Sequence, residues 1–329
     1  MKRQLTDSHS ILADYIERFI AYKRSLGRRF DVEEKTLQLL DRYLLGEKIE
    51  QMHEVTPRVI ECFLASRPRR HTRSYNHLLC TVRRLFDWMV AQEILPTSPV
   101  QTKPKRRGVQ RTPFIFDIDS ARRLLDVARK LLDNPNAPCR GATYYAIFAI
   151  LYGLGLRVGE ACRLKVKDVD FNRRLLIVRE TKFYKSRLVP FGPKLEAVLS
   201  EYREFKNSRF GAGSLDAPFF SFTRRGEVHP GTVSQTFHQL VPRLKLQVPL
   251  GCASPRLHDL RHSFAVGRLT RWYRAGADPG AGLLKLATFL GHVDVNSTAT
   301  YLSMTATLLQ EANKRFESFT EPLIMEGLR

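Results

Sequence analysis

A basic segment that is rich in proline, residues 96–113, constrains the fold of this chain more than any other stretch. It contains four prolines and a cluster of lysine and arginine, and its few apolar residues show no helical or strand period. This composition is typical of an extended linker, although a solvated spacer has the same composition. The sequence therefore predicts two domains, residues 1–95 and 114–329, on either side of it.

The first 95 residues contain four stretches in which apolar residues recur with the period of an α-helix. Thr56 and Pro57 open the third stretch as a capping residue followed by a first-turn proline. The four apolar faces are Ile11, Leu12, Tyr15, Ile16, Phe19 and Ile20; Leu37, Leu39, Leu40, Tyr43 and Leu44; Val59, Ile60, Phe63 and Leu64; and Leu78, Leu79, Val82, Leu85, Phe86 and Met89. Four helices in this length predict a compact helical domain.

The pattern becomes mixed from Phe114 onward. Helical patterns begin at Asp119 and at Ala142, and further helical patterns continue to the end of the chain. A β-rich stretch at residues 174–179 and a shorter one at residues 187–190 predict a hairpin. The predicted fold class is therefore mainly α with a small antiparallel β-sheet, arranged as a helical N-terminal domain and a mixed α/β second domain.

The formal net charge of +21 requires an acidic partner. DNA fits, because each phosphate that a basic side chain neutralises releases counterions. The excess is concentrated between Arg67 and Arg111, where eleven lysines and arginines stand against two acidic residues, although a solvated face or a membrane-surface binder can carry a similar charge. The residues expected to contact DNA phosphates are Arg67, Arg69, Arg70, Arg73, Arg83, Arg84, Lys103, Lys105, Arg106 and Arg107.

Cysteine usage and hydropathy predict a soluble, intracellular protein. The five cysteines are an odd number without a C-x-x-C pair, which favours free thiols over a disulfide framework or a zinc site. The N-terminus leads into an amphipathic pattern with charges throughout, unlike a signal peptide. No run of about 18 apolar residues is present, so no membrane span is expected.

Arg157 and Glu160 are the first candidates for a site that binds phosphate. They lie in the stretch Gly-Leu-Gly-Leu-Arg-Val-Gly-Glu, near the predicted start of a helix. A glutamate at this offset can pair with the arginine and fix its guanidinium for a two-donor contact with phosphate, although a capped turn with a surface ion pair gives the same pattern. A dinucleotide-binding loop is excluded, because a helix rather than a strand precedes the glycines and their spacing differs.

His258 and Arg261 stand in the most specific local pattern, His-Asp-Leu-Arg-His. On a helix they share a face with His262, which places a proton acceptor beside a group that binds an oxyanion. The two histidines are spaced as in a metalloprotease helix, but Asp259 stands where that site needs glutamate, and Arg261 would place a cation beside the metal. His262 is expected to pack or to form hydrogen bonds within the fold.

His292, in Leu-Gly-His, and Tyr301, nine residues later, complete the set. A buried histidine and a core tyrosine are each ordinary alone, but here they follow Arg157 and Arg261 in order. Guanidinium groups bind phosphate oxygens through paired donors, and a phenol is a nucleophile that can carry the phosphate covalently. Together these groups suit the attack on a phosphodiester.

In this order and spacing the set resembles the tyrosine recombinase (phage integrase) family over about residues 117–301. Lys182 belongs to this resemblance, because the Lys-Ser-Arg-Leu-Val-Pro after it matches the family's second and third strands. A lysine in a hairpin loop is otherwise usually only solvated, and Lys185 is the nearest competitor. By layout alone, residues 1–95 look like the family's core-binding domain, and residues 114–329 would be its catalytic domain with a C-terminal helix and tail.

The resemblance implies a role for each candidate. Arg157 and Arg261 would hold the non-bridging oxygens, and His258 would take the proton of the phenol. Lys182 would protonate the departing 5′-oxygen, and Tyr301 would become the 3′-phosphotyrosine. The remaining roles that the resemblance implies are a hydrogen bond from His292 to the phosphate and support of the site by Glu160.

The same resemblance implies no cofactor, neither metal nor ATP, since the phosphotyrosine keeps the energy of the bond. The expected partner is double-stranded DNA, bound by a homo- or hetero-tetramer, with sibling recombinases or accessory proteins as further candidates, in the cytoplasm at the nucleoid. Integration, transposition, inversion and chromosome-dimer resolution are all compatible with it. Relaxation of supercoils by the same chemistry, as in type IB topoisomerases, and a catalytically silent DNA-binding protein remain alternatives.

Two stretches of the chain need separate comment. Residues 271–282 make the distance between Arg261 and His292 several residues longer than the family's usual spacing, and Tyr273 within them is a competing nucleophile that lacks a preceding Gly-His. After Tyr301 an apolar stripe is expected to dock either on a neighbouring protomer or on its own domain. This stripe consists of Leu308, Leu309, Ala312, Phe316 and Phe319.

Overall fold

The chain divides into two compact units, Met1–Gln110 and Arg111–Arg329. The first unit therefore extends beyond residue 95 and takes in most of the segment that the sequence predicts to be a linker. The computed structural model describes residues 10–106, 112–179, 186–224, 226–292, 294–303, 308–314 and 316–317.

Within its described residues, the first unit contains four α-helices and a short 3₁₀ turn. The helices are α1 (Ala13–Ser25), α2 (Asp31–Gly46), α3 (Pro57–Ala65) and α4 (Thr72–Ala91). The four apolar faces predicted from the sequence pack together into one core, in which Leu37, Phe63 and Phe86 are fully buried. Thr56 caps α3 by accepting a hydrogen bond from the Val59 amide, with Pro57 in the first turn as predicted.

Side chains of α4 hold the chain that follows it. The side-chain amide of Asn76 accepts a hydrogen bond from the Lys105 amide nitrogen at 2.9 Å and donates one to the Lys105 carbonyl at 2.8 Å. Arg83 donates to the carbonyl oxygen of Thr102, and Val100 is buried in the helical core. Residues 100–105 of the predicted linker therefore lie along α4, held by these polar contacts and by the burial of Val100.

The second unit is mostly helical and contains a three-stranded sheet. Its strands, β1 (Val169–Asp170), β2 (Leu175–Val178) and β3 (Arg187–Pro190), are antiparallel in the order β1-β2-β3, with Val178 opposite Arg187 at the loop end of the β2–β3 hairpin. The predicted fold class and the predicted hairpin are confirmed. The elements are α5 (Ile118–Arg129), α6 (Arg140–Leu154), α7 (Val158–Cys162), β1 (Val169–Asp170), β2 (Leu175–Val178), β3 (Arg187–Pro190), α8 (Pro193–Phe210), α9 (Pro230–Leu240), α10 (Asp259–Arg274), α11 (Pro279–Leu290) and α12 (Asn296–Ala299).

Helix α6 lies at the centre of the second unit's core. It is apolar on nearly every side, as expected for a helix surrounded by other elements, and Tyr144, Ile147 and Phe148 are among its buried residues. Among the described residues, no helix is both long and apolar enough to cross a membrane. Helix α6 ends at Gly155, whose φ of 63° lies in the left-handed region.

We expect Gly155→Ala to destabilise the second unit more than Gly276→Ala, its matched control. Both glycines have left-handed φ, so alanine costs each about 1–2 kcal/mol. A Cβ at Gly155 would lie 2.6 Å from Cδ1 of Phe264 and 2.9 Å from Cδ2 of Leu290, whereas nothing lies within 4 Å at Gly276. Overpacking should therefore add about 1–3 kcal/mol at Gly155 alone.

Urea unfolding in a Trp88→Phe background measures this difference, because the fluorescence of Trp272 then reports on the second unit. The chain has two tryptophans, one in each unit. Equal losses of unfolding free energy for the two alanine variants would contradict the packing argument.

Candidate active site

Two helix ends form the base of the candidate site. Helices α6 and α11 each stop at a glycine in the left-handed conformation, Gly155 with φ 63° and Gly291 with φ 69°. The last carbonyl groups of a helix lack partners within it and carry partial negative charge. At both ends these carbonyl oxygens accept hydrogen bonds from arginine side chains.

Arg261 is bound between the two helix ends. Its guanidinium donates to the Gly155 carbonyl at 2.6 Å and to the Leu290 carbonyl at 2.8 Å, and the residue is 1% exposed. Burial, with the neighbouring charge of Arg157, lowers the pKa of Arg261 to about 10, so it stays protonated at neutral pH. Arg261 thereby joins the start of α10 to the ends of α6 and α11, despite the long spacing before His292.

Glu160 is buried on α7 and accepts four hydrogen bonds. The Arg157 guanidinium donates to Oε1 at 2.8 Å, and the Arg157 amide donates to Oε2 at 3.0 Å. Two nitrogens of Arg187 donate to the same carboxylate, at 3.1 Å to Oε1 and 2.8 Å to Oε2. Burial alone would raise the pKa of Glu160, but the hydrogen bonds and charges of Arg187 and Arg157 hold it at about 2.

Arg157 and Arg187 differ in how far they reach solvent. The Arg157 side chain is 36% exposed and donates to the Gly291 carbonyl at 3.3 Å. The Arg187 side chain is 11% exposed and its Nε donates to the Phe289 carbonyl at 2.9 Å. The sequence predicts the pairing of Arg157 with Glu160 but misses Arg187, because an arginine at the start of a strand belongs to no period. The one available signal was that a buried glutamate needs cationic partners.

Three imidazoles and the Tyr301 phenol ring form the other wall of the site. The ring of His262 lies 4.7 Å from that of His258 and 5.5 Å from that of Tyr301, between centroids. The ring of His292 stacks on Tyr301 at 6.1 Å, and its Nδ1 is 2.7 Å from Oγ1 of the buried Thr298 on α12. The structure thus brings together the sequence-predicted His258, His292 and Tyr301, with His262 between two of them.

Burial sets the protonation of these groups. It lowers the pKa of His258, His262 and His292 to about 4 each, with nearby arginines adding to the effect. The same burial raises the pKa of Tyr301, against the opposing influence of Arg261 and Arg157. At neutral pH the site therefore contains charged guanidinium groups, neutral imidazoles and a protonated phenol. Such a set can bind an oxyanion and move a proton from the phenol to an imidazole.

Other sequence-predicted residues of the second unit lie elsewhere. Lys182 and its competitor Lys185 fall in the β2–β3 loop, outside the described residues. Tyr273 lies twelve residues beyond Arg261 on α10, which corresponds to about 18 Å along a helix, and packs in an apolar cluster. Among the described histidine, cysteine, aspartate and glutamate residues, no group of three or more is arranged to hold a metal ion.

Leu308 of the C-terminal stripe packs on its own unit. Leu308 is fully buried in the same apolar cluster as Tyr301, and Glu311 accepts a hydrogen bond from Arg274 of α10 at 3.1 Å. Leu309 and Phe316 are exposed, and Phe319 lies outside the described residues.

The basic residues predicted to contact DNA differ in their exposure. Arg83 is half-buried through its bond to Thr102, and Arg67 is half-buried with an Nε that has no partner among the described residues. The Nζ of Lys105 lies 4.2 Å from the Tyr75 ring centroid. Arg107 lies outside the described residues. The exposed members are Arg69, Arg70, Arg73, Arg84, Lys103, Lys105 and Arg106.

Known proteins resemble this chain along most of its length. The family model described as the phage integrase family matches residues 123–307, which include the arginines, histidines and tyrosine of the site. The chain is 33% identical over 314 residues to a candidate integrase/recombinase, y4rB, of Sinorhizobium fredii, over 92% of this chain and 96% of that protein.

Solved structures share the fold. The crystal structure of XerA recombinase is 25% identical, covers 92% of this chain and 98% of its own, and superposes with a TM-score of 0.50. The Tn1549 transposon integrase in complex with transposon right end DNA is 17% identical, over 93% of this chain and 98% of its own, with a TM-score of 0.63.

The neutral histidines predict an acid-sensitive stability. Because the pKa of His258, His262 and His292 is about 4 in the folded protein against an ordinary 6.5, the unfolded chain binds more protons between these values. The contribution of these histidines to the free energy of unfolding is fully present above about pH 6.5 and is lost as the pH falls towards 4. Thermal unfolding should therefore occur at lower temperature with each step down through this window.

His262→Gln is the matched variant for this experiment, and its unfolding temperature should fall less steeply over the same window. Glu160 does not confuse the comparison, because its pKa of about 2 makes it contribute only below its ordinary value of 4.5. An unfolding temperature that is constant between pH 6.5 and 4.5 would contradict the burial of neutral imidazoles.

Proposed function

The chain belongs to the phage integrase family of tyrosine recombinases, and we propose that it cuts and rejoins specific DNA sites through a 3′-phosphotyrosine at Tyr301. One observation carries the proposal: separate elements bring Arg157, Arg261 and His292 close to a single phenol, with His258 beside it through the ring of His262. Membership of the family makes the chain a DNA recombinase. The covalent intermediate and the role of each residue are the proposal.

The charge of the site supports the binding of a scissile phosphate. Arg157, Arg187 and Arg261 contribute three positive charges and Glu160 one negative charge, which leaves plus two. A phosphodiester carries one negative charge, and its pentacoordinate transition state carries about two on the non-bridging oxygens. The exposed edge of Arg157 and the buried Arg261 are proposed to hold these oxygens, so the arrangement matches the transition state better than the substrate.

The protonation states support the direction of proton transfer. The oxygen of Tyr301 attacks phosphorus, a bond from phosphorus to the phenolic oxygen forms, and the bond to the 5′-oxygen breaks. Neutral His258 accepts the phenolic proton. Lys182 is proposed, from the resemblance alone, to protonate the 5′-oxygen.

His292 is proposed to bind the phosphate. When Thr298 donates to its Nδ1, the proton of the neutral ring lies on Nε2 and can be donated to a phosphate oxygen. A free 5′-hydroxyl of another strand then reverses the step and releases Tyr301. Because the phosphotyrosine keeps the energy of the broken bond, we propose that neither metal nor ATP takes part.

The proposed substrate is double-stranded DNA, bound by a homo- or hetero-tetramer at the nucleoid. The helical domain and the segment along α4 are proposed to contact phosphates through their exposed basic residues. The fixed position of that segment supports this role, since Asn76 and Arg83 hold the backbone while Lys103, Lys105 and Arg106 are exposed.

We expect Tyr301→Phe to abolish a covalent DNA adduct that the wild type forms. The assay uses nicked suicide duplexes from the DNA flanking the gene, with EDTA present, and detects a protease-sensitive adduct. Phenylalanine keeps the buried ring but has no oxygen to attack. Tyr273→Phe is the control and should form the adduct like the wild type. An adduct that persists in Tyr301→Phe would assign the nucleophile to another residue.

A variant with glutamine in place of Lys103, Lys105, Arg106 and Arg107 should bind DNA more weakly, and its binding constant should depend less steeply on salt concentration. Each lost phosphate contact reduces the slope of log K against log salt by about 1. The control variant replaces four exposed basic residues of the second unit by glutamine, namely Arg122, Arg129, Lys194 and Arg209. Its slope should remain steeper than that of the first variant. Equal slopes for the two variants would exclude the segment along α4 from the DNA interface.

A further inference from the structure

Arg187 makes contacts that the proposed reaction does not use directly. Its guanidinium binds both oxygens of Glu160, its Nε binds the Phe289 carbonyl, and its side chain is 11% exposed. Each of its three guanidinium nitrogens therefore already donates to a protein acceptor. Arg157, which shares the same carboxylate, is 36% exposed.

The sharing of Glu160 determines how Arg157 is oriented. A carboxylate accepts about four hydrogen bonds, and a single arginine can occupy both oxygens in a two-donor pair. In this site Arg187 forms that two-donor pair. Arg157 is left with one side-chain bond to Oε1 and one backbone bond to Oε2, so it meets Glu160 with one edge only.

The close approach of Arg187 to Gly291 strengthens its hold on the site. A Cβ at Gly291 would lie 2.8 Å from an Nη of Arg187 and 3.0 Å from Cζ, so the guanidinium packs against the bare backbone of the glycine. Gly291 also accepts the second hydrogen bond of Arg157 and precedes His292. Arg187 therefore contacts both groups that orient Arg157.

We propose that Arg187 is a positioning residue for Arg157: by occupying both oxygens of Glu160, it keeps the Arg157 guanidinium turned outward to bind phosphate. Without Arg187, the buried carboxylate keeps two unsatisfied acceptor positions. The Arg157 guanidinium would then rotate inward to form the two-donor pair itself. The inference rests on the proposed function for its catalytic consequence, but the inward rotation is a property of the protein alone.

The decisive variant is Arg187→Lys, and Arg179→Lys is its matched control. Arg179 directly follows Val178, the residue opposite Arg187 in the same hairpin, and donates to a buried carboxylate, that of Asp168, at 2.6 Å. Lysine keeps the charge in both variants but cannot form a two-donor pair. Any general effect of weakening the hairpin should appear in both variants.

Crystal structures of the two variants without DNA test the orientation directly. In Arg187→Lys the Arg157 guanidinium should contact both Glu160 oxygens and be less exposed, whereas in Arg179→Lys it should remain as in the wild type. An Arg157 that keeps its single side-chain bond to Glu160 in Arg187→Lys would overturn the proposal. This result does not depend on whether the protein cleaves DNA.

Single-turnover cleavage of nicked duplexes tests the consequence. Arg187→Lys should cleave about 100-fold more slowly, as expected for a misplaced binding group, with DNA affinity unchanged. The deficit should shrink on a duplex with a methylphosphonate at the scissile position, because that linkage has no charge for Arg157 to bind. An equal deficit on both duplexes would make the role of Arg187 merely structural and overturn the proposal.

Two further outcomes are distinguishable. A wild type that cleaves neither duplex would count against the proposed function, while the crystal structures still decide the role of Arg187. Should Arg187→Lys fail to fold, Arg187→Ala with added guanidinium ion replaces it, since the ion can occupy the vacated contacts. Restored cleavage with guanidinium but not with equal sodium would support the proposal, and no restoration would overturn it.

Discussion

The second unit depends on one buried carboxylate. Glu160 joins α7 to β3 through Arg187, and Arg187 continues the connection to the end of α11 through the Phe289 carbonyl. Apolar packing brings these elements together but does not fix their rotation, whereas paired hydrogen bonds do. A buried ion pair is often no more stabilising than apolar residues of the same volume. Its value here lies in the orientation of the guanidinium groups around the carboxylate.

The electrostatics of the site follow from the same cluster. Burial, together with the cations concentrated in this partly buried space, lowers the pKa of His258 and His292 and keeps them neutral. Under the proposed function, a bound phosphodiester would bring a negative charge to the same space and would raise those pKa values. Phosphate binding would thus make His258, under the same proposal, a stronger acceptor of the phenolic proton. Burial likewise raises the pKa of the Tyr301 phenol, which is therefore protonated at neutral pH.

Much of this architecture could be predicted from the sequence, because it rests on periodic or ordered patterns. The four helices of the first unit follow from their apolar faces, and the β2–β3 hairpin follows from its β-rich stretches. The order Arg157, His258, Arg261, His292, Tyr301 supplied the candidate site. The strand β1 was missed, since two residues show no period. The contacts of Arg83 and Asn76 with the chain after α4 were missed as well, because isolated polar contacts leave no repeated trace.

Arg187 was the most informative omission. One of its partners is Glu160, which the sequence analysis pairs with Arg157 alone. The other partner is a backbone carbonyl, and a carbonyl gives no signal in a sequence because every residue has one. The same holds for Arg261, which donates to two carbonyl oxygens of the main chain. Sequence patterns identify side chains that act together, but they do not reveal contacts to the main chain.

Those carbonyl contacts bear on how this site tolerates mutation. The main chain at Gly155, Phe289 and Leu290 presents the same oxygen whatever side chain is attached. Substitutions at Phe289 and Leu290 are therefore limited by the apolar space around them and not by any demand for a polar group. Gly155 and Gly291 are restricted differently, because both have a left-handed backbone conformation. Sequence changes at Phe289 and Leu290 can therefore alter the apolar lining of the site while the carbonyl contacts of Arg187 and Arg261 persist. Those contacts depend on the path of the backbone and not on the side chains attached to it.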